Sequence, residues 1–202
     1  RRRMHDEPVT RAERLFYMST VGSMLFIGRV TSPIICRMAS VLAGALPDLS
    51  IKDIKTMNAA LRKMKKNLPS VAELHYRVPV GDSKPPIWLI FSDASFSEEA
   101  SRNRTGVLVT RAFGLDNESP MHVVDFCSHK LRRVARSTKT AETLAASEGF
   151  DRGFYINTVF QWMGMSCGLF MVLDNSSLFA DVGTSNAPKE KRLKVDLALL
   201  RE

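Results

Sequence analysis

Four acidic residues stand where carboxylates could do chemistry: Asp93, Glu142, Asp174 and Asp196. Asp93 follows the apolar run Ile87-Trp88-Leu89-Ile90-Phe91, and Asp174 follows Leu169-Phe170-Met171-Val172-Leu173. Short apolar runs rich in β-branched and aromatic residues read as buried strands. A carboxylate at the tip of such a strand calls for a cation or solvent beside it. Adjacent strands would set Asp93 and Asp174 side by side. Glu142, near the start of a helix, would reach in from one face, and Asp196 on a last helix would complete the set. Several carboxylates converging on two ions about 4 Å apart can hydrolyse a phosphodiester, one ion activating water and the other stabilising the leaving oxygen. An all-oxygen set favours Mg²⁺, with Mn²⁺ as its substitute. Taken singly, each acid has another role open to it. Asp93 and Asp174 could form turns at strand ends, Glu142 could complement a helix dipole, and Asp196 could be one surface acid among many.

The elements that must position these acids are legible in outline. Residues 11–46 carry apolar positions at helical spacing, with Leu15, Met18, Val21, Met24 and Leu25 first, then Ile34, Ile35, Met38, Val41 and Leu42. Pro33 should break that pattern and Pro47 end it. Ser50 or Asp53 would cap a third helix bearing Ile54, Met57, Leu61 and Met64. That helix is expected to finish in Arg62-Lys63-Met64-Lys65-Lys66, cations suited to its C-terminal dipole or to phosphate. Residues 69–86, with several prolines, read as a linker. Strands are expected over 87–91, 105–112 and 121–127, joined by turns at Arg102-Asn103-Arg104 and Gly114-Leu115-Asp116-Asn117 into an antiparallel meander. A helix rich in small residues (Ala145, Ala146, Gly149, Gly153) should lie close on the sheet. The apolar run 169–173 should be a central strand covered on both faces. Short helices would close the chain. Together these describe an α/β fold, a mixed sheet flanked by helices and preceded by a helical extension over 1–68.

Composition sets the bounds. The chain has 202 residues and a formal charge of +8, which favours a polyanionic partner, nucleic acid before anionic membrane. Cys36, Cys127 and Cys167 are widely spaced with no CxxC pair, which points to buried thiols in a reducing, intracellular setting (cytoplasmic or nuclear, not secreted) and to no obvious zinc site. The most apolar window, 27–46, is interrupted by Arg29, Pro33 and Arg37, so no membrane span is expected. The chain opens Arg1-Arg2-Arg3-Met4 and reads as a piece of something longer.

Three stretches carry a family resemblance: Phe91-Ser92-Asp93-Ala94-Ser95; Ser128-His129-Lys130 with Arg136-Ser137-Thr138-Lys139-Thr140-Ala141-Glu142; and Leu173-Asp174-Asn175-Ser176-Ser177-Leu178. A fourth runs from Lys191-Arg192-Leu193-Lys194-Val195-Asp196-Leu197 to Leu200-Arg201-Glu202. In this order they resemble the ribonuclease H domain of copia-type retrotransposon polyproteins. That family shows a strand-end Ser-Asp-Ala, a Lys-rich segment running into Ser-Ser/Thr-x-x-Ala-Glu, a strand-end Asp-Asn or Asp-Ser, and a closing Lys-Arg/His-x-x-Asp. The likeness spans roughly the last three fifths of the chain, and its specificity lies in the ordered set. Upstream, Val21-Gly22-Ser23-Met24-Leu25-Phe26-Ile27 and Thr31-Ser32-Pro33-Ile34-Ile35 look like the family's thumb or connection region, although Ser32 and Ile34 stand where the family has Arg and Asp.

The resemblance implies a ribonuclease H-like domain over 87–202, truncated at its C-terminus, with Asp93, Glu142, Asp174 and Asp196 as catalytic ligands of two Mg²⁺ ions. It implies cleavage of the RNA strand of RNA–DNA hybrids beside the polymerase domain of the same polyprotein. The chain itself has no Tyr-x-Asp-Asp polymerase signature. Hybrid would be gripped through its backbone, with Lys130, Arg136, Ser137 and Thr138 the first candidates among the basic and hydroxyl residues before Glu142. A solvated basic loop is the other account of that segment. His129 is a proton-shuttle candidate or a surface histidine. The rival functional reading is a retroelement remnant that binds nucleic acid without cleaving it. An integrase-like nuclease on the same fold fits the four-acid spacing less well.

Overall fold

The computed structural model describes residues 7–71, 76, 85–96, 103–116, 119–184 and 193–201, with side chains in the third helix described to residue 66. The chain divides into two compact units, Arg1–Leu74 and His75–Glu202.

The first unit is a set of three helices: α1 (Arg11–Thr31), α2 (Pro33–Ala43) and α3 (Ile51–Val71). Thr10 and Glu13 open α1 with a reciprocal capping box. Pro33 separates α1 from α2 as expected, taking the first helical position, where a missing N–H is harmless, while the Ser32 side chain accepts from the Ile35 amide. The core joins Tyr17, Val21 and Met24 to Ala39, Leu42, Leu49 and Met57. This corrects the apolar stripe expected on the first two helices. Leu15 is 56% and Ile34 54% exposed, and Met18 and Val41 are exposed as well. The inward line of α1 instead runs Tyr17, Val21, Met24, Gly28, because a buried tyrosine finds a partner for its hydroxyl, which donates to the Leu42 carbonyl at 2.9 Å. Gly28 lets the two helices approach closely, since a Cβ there would lie 2.6 Å from the Cys36 backbone nitrogen.

The third helix carries Met57 into the core, with Ile54, Leu61 and Met64 packed beside it. Ser50 and Asp53 cap it together, the Ser50 amide donating to the Asp53 carboxylate. It does not finish at the basic run but continues to Val71, three residues into the linker expected over 69–86. Once a helix propagates, each further residue adds a hydrogen bond for little entropy. Arg62, Lys63, Lys65 and Lys66 are therefore exposed along the helix, away from its last turn.

The second unit contains a four-stranded mixed sheet flanked by helices. Its strands are β1 (Ile87–Ser95), β2 (Arg104–Ala112), β3 (Met121–Lys130) and β4 (Gly168–Val172), in the order β3-β2-β1-β4. The first three form the expected antiparallel meander, and β4 joins β1 in parallel. Two expectations fail here. The first strand does not stop at Phe91 but runs to Ser95, so Asp93 lies within it, opposite Gly106. And β4 is an edge strand among those described, with Leu169 and Met171 packed inward while Phe170 and Val172 stay exposed. A short apolar run has no feature that separates a strand covered on one face from one covered on both.

The long helix α4 (Thr138–Trp162) crosses one face of the sheet. Trp88, Ile90, Val107 and Val109 of the sheet pack with Ile156 and Phe160 of the helix. The small residues do what the sequence implied. A Cβ on Gly149 would meet Ile90 Cγ2 at 3.1 Å, and one on Gly153 would overlap the same side chain. Two short helices, α5 (Ser176–Gly183) and α6 (Lys194–Arg201), pack Leu178, Leu193 and Leu197 against Ala146. The register of β3 slips opposite Val109 and Thr110, which pair with Asp125 and Val123 and leave Val124 as a bulge. Arg102, Asn117, Lys191, Arg192 and Glu202, all singled out in the sequence, lie outside the described residues.

Candidate active site at one edge of the sheet

Parallel pairing brings two of the acids together. Phe91 pairs with Val172, so Asp93 and Asp174, each two residues further on, emerge at the same edge of the sheet on neighbouring strands. Both are exposed. The third acid arrives from above. Ser137 caps α4, its hydroxyl accepting from the Thr140 amide at 3.1 Å, and Glu142 follows in the second turn. Glu142 is only 7% exposed, an unusual setting for a carboxylate. Burial pushes its carboxyl up to about 7, with the charges of Asp93 and Asp174 adding to the shift and a backbone hydrogen bond from Ala94 opposing it. Asp93 and Asp174 thus act electrostatically on Glu142, although the carboxylate oxygens of the three are not gathered within 4.8 Å of one another.

Asp196 has a partner of its own. Its carboxylate is held by Arg133, with Nη1 2.8 and 2.9 Å from its two oxygens. It lines a cleft of about 260 Å³ with Glu148 and Asp151, where burial raises the Asp151 carboxyl and the charges of Glu148 and then Asp196 add to the shift. The charges acting on Glu142 are those of Asp93 and Asp174.

The candidate substrate contacts cluster at the same sheet edge as the trio. Ser95, Arg104 and Lys130 form one row across β1, β2 and β3. Strands lie about 4.8 Å apart, so Lys130 stands roughly 10 Å from β1. Lys130, Arg136 and Thr138 are exposed, whereas the Ser137 hydroxyl is engaged in capping α4. Lys139 is paired with Asp181. His129 faces Glu148, its Nε2 lying 2.7 Å from Glu148 Oε1. Two features escaped the sequence reading. Arg104 joins the basic row only through strand pairing, which spacing alone does not reveal. Cys127 and His129 alternate along one strand, a Cys-x-His signal that could have been matched to Glu148.

The trio's donors are all oxygens, the chemistry that hard divalent cations take, and burial with two like charges nearby makes its buried member resist ionising. Asp93, Glu142 and Asp174 would hold them. No protein-family model matches the chain, and no curated protein or solved structure matches it. Among the described residues, no helix is long and apolar enough to cross a membrane.

Proposed function

We propose that the second unit is a ribonuclease H-like domain of copia type that hydrolyses the RNA strand of RNA–DNA hybrids. The single observation that carries this reading is the buried Glu142 under the charges of Asp93 and Asp174, three acids whose chain order matches the resemblance. Bound Mg²⁺ ions would supply an activated water and a stabilised leaving oxygen. The chain's own residues concentrate negative charge to attract the ions, and the basic row of Arg104 and Lys130, with Arg136 near the start of α4, faces the phosphate backbone. In the same reading Asp196 is the fourth ligand, the helical unit is the thumb or connection of a reverse transcriptase, the polymerase domain is its partner, and the protein works inside the cell.

The test is incubation of the full chain with labelled hybrid, with and without Mg²⁺. Cleavage dependent on the ion and lost in Asp93→Asn and Asp174→Asn supports the assignment, and unchanged cleavage in both variants sinks it. A second reading, a remnant that binds nucleic acid without cutting it, is favoured by the engagement of Asp196 with Arg133. It predicts binding to hybrid that weakens with salt and leaves the RNA strand intact.

A further inference from the structure

Away from the acidic trio, β3 turns a second set of chemically active side chains toward α4. Residues paired across a sheet share a face. Asp125 pairs with Val109, Cys127 with Val107 and His129 with Thr105, and Val107 and Val109 belong to the core beneath α4. From the helix, Glu148 meets this row. Its Oε1 lies 2.7 Å from His129 Nε2 and 3.7 Å from Cys127 Sγ, and donor atoms of all three residues lie within 4.8 Å of one another. All three are half-buried.

Hydrogen-bond counting shows that this cluster calls for one positive charge. A neutral imidazole carries one N–H. His129 Nδ1 lies 2.8 Å from the Lys130 carbonyl oxygen, and Nε2 faces the Glu148 carboxylate, so both neighbours are acceptors. One proton cannot serve both. If Nδ1–H donates to the carbonyl, the Nε2 lone pair points at a carboxylate oxygen, and something positive must stand between them. A second ring proton would do this, and so would a metal ion. The Cys127 sulfur alongside decides in favour of a metal, since a set of sulfur, imidazole and carboxylate suits zinc.

We propose that Cys127, His129 and Glu148 form a zinc site that clamps β3 onto α4. Tetrahedral zinc with bonds of about 2.0–2.3 Å holds nitrogen and oxygen donors about 3.3 Å apart, so the His129–Glu148 pair opens by roughly half an ångström to admit it. Arg152 bonds both Glu148 Oε1 at 3.4 Å and Asp125 Oδ2 at 2.8 Å, so it keeps Asp125 as a partner when the metal takes the Glu148 oxygen. The Cys127 proton leaves to solvent on binding. Metal binding requires the thiolate, and the ion, with the Arg152 guanidinium nearby, would stabilise it. Glu148 also lines the cleft of Leu131, Ser147 and Asp151, which gives the ion a path in. The backbone carbonyl of Lys130 fixes the ring tautomer, as partners behind a metal-bound histidine do.

The full chain is titrated with Co²⁺ and with Zn²⁺ against a colorimetric chelator. One equivalent of Co²⁺ should give a thiolate-to-cobalt charge-transfer band in the near ultraviolet, displaced by Zn²⁺. Zn²⁺ should also raise the melting temperature of the wild type. Cys127→Ser should abolish the band, and His129→Ala or Glu148→Gln should weaken binding about tenfold or more. Cys167→Ser and the double variant Asp93→Asn/Asp174→Asn should retain it, which separates this site from the acidic trio. No band in the wild type, or a band that survives Cys127→Ser, overturns the proposal. That outcome leaves His129 and Glu148 as an imidazolium–carboxylate pair only.

Discussion

The Glu142 carboxylate accepts a backbone hydrogen bond from Ala94, the residue next to Asp93, so the helix and the first strand are joined at the point where their acids meet. That bond favours the ionised acid while burial and two like charges oppose it, and the opposition wins.

The pH dependence of stability follows. Glu142 titrates at 4.5 in the unfolded chain and near 7 in the fold. A raised carboxyl contributes stability that is complete below pH 4.5 and lost as pH rises through about 7. The loss is about 3 kcal/mol by linkage. Denaturant unfolding at pH 5 and pH 8 should show the second unit weaker at the higher pH. Glu142→Gln should remove most of that slope.

Divalent cations should act in the opposite sense. If Asp93, Glu142 and Asp174 hold Mg²⁺, the ion stabilises the ionised acids, so it should raise the melting temperature at pH 8 more than at pH 5. Equal shifts at both pH values would count against a shared site.

Removal of single acids should rank them. Asp93→Asn, Asp174→Asn and Glu142→Gln are each expected to lower hybrid cleavage by more than about 100-fold, the scale of losing one electrostatic contact in an active site. Asp196→Asn is expected to lower it less, because Arg133 already engages that carboxylate. The stability cost of breaking this pair should be below about 1 kcal/mol, since the Arg133 side chain is 54% exposed. Single-turnover cleavage rates of the four variants provide the comparison.

Two glycines of α1 should respond oppositely to alanine. Gly28→Ala would push a methyl group into the Cys36 backbone and should destabilise the helical unit by about 1–3 kcal/mol. Gly22→Ala meets nothing within 4 Å and should stabilise it by about 0.5–1 kcal/mol through helix propensity. Thermal unfolding followed by circular dichroism will separate them.

Lys130→Ala and Arg136→Ala should each weaken hybrid binding by a similar factor for all sequences and reduce the slope of log affinity against log salt by about 1. Binding isotherms at several salt concentrations provide the check.

Periodicity and breakers made much of this architecture legible. Pro33, the small residues of α4 and the meander were readable because each has a local physical cause. The inward face of α1 was not, because Leu15 and Met18 are as apolar as Val21 and only packing chooses among them. The status of β4 was not, because its edge position depends on which strands pair. At the site, Asp93 and Asp174 could be placed together from strand ends alone. The attachment of Asp196 to Arg133 depends on how α6 docks, and no spacing encodes that.

The bulge at Val124 changes the phase of a strand. On its C-terminal side Asp125, Cys127 and His129 look toward α4. On its other side Val123 pairs with Thr110 and looks the opposite way, while His122 shares the face of Arg111. One inserted residue therefore decides which parity of the strand is read inward. Deleting Val124 would make Val123 and Asp125 consecutive opposite Thr110 and Val109, so the ladder would become regular and both halves of β3 would keep their faces. Drawing Val124 into the ladder would instead make one half of β3 trade faces, sending the sulfur and imidazole away from Glu148 or turning His122 from its aromatic neighbours Tyr76 and Phe113.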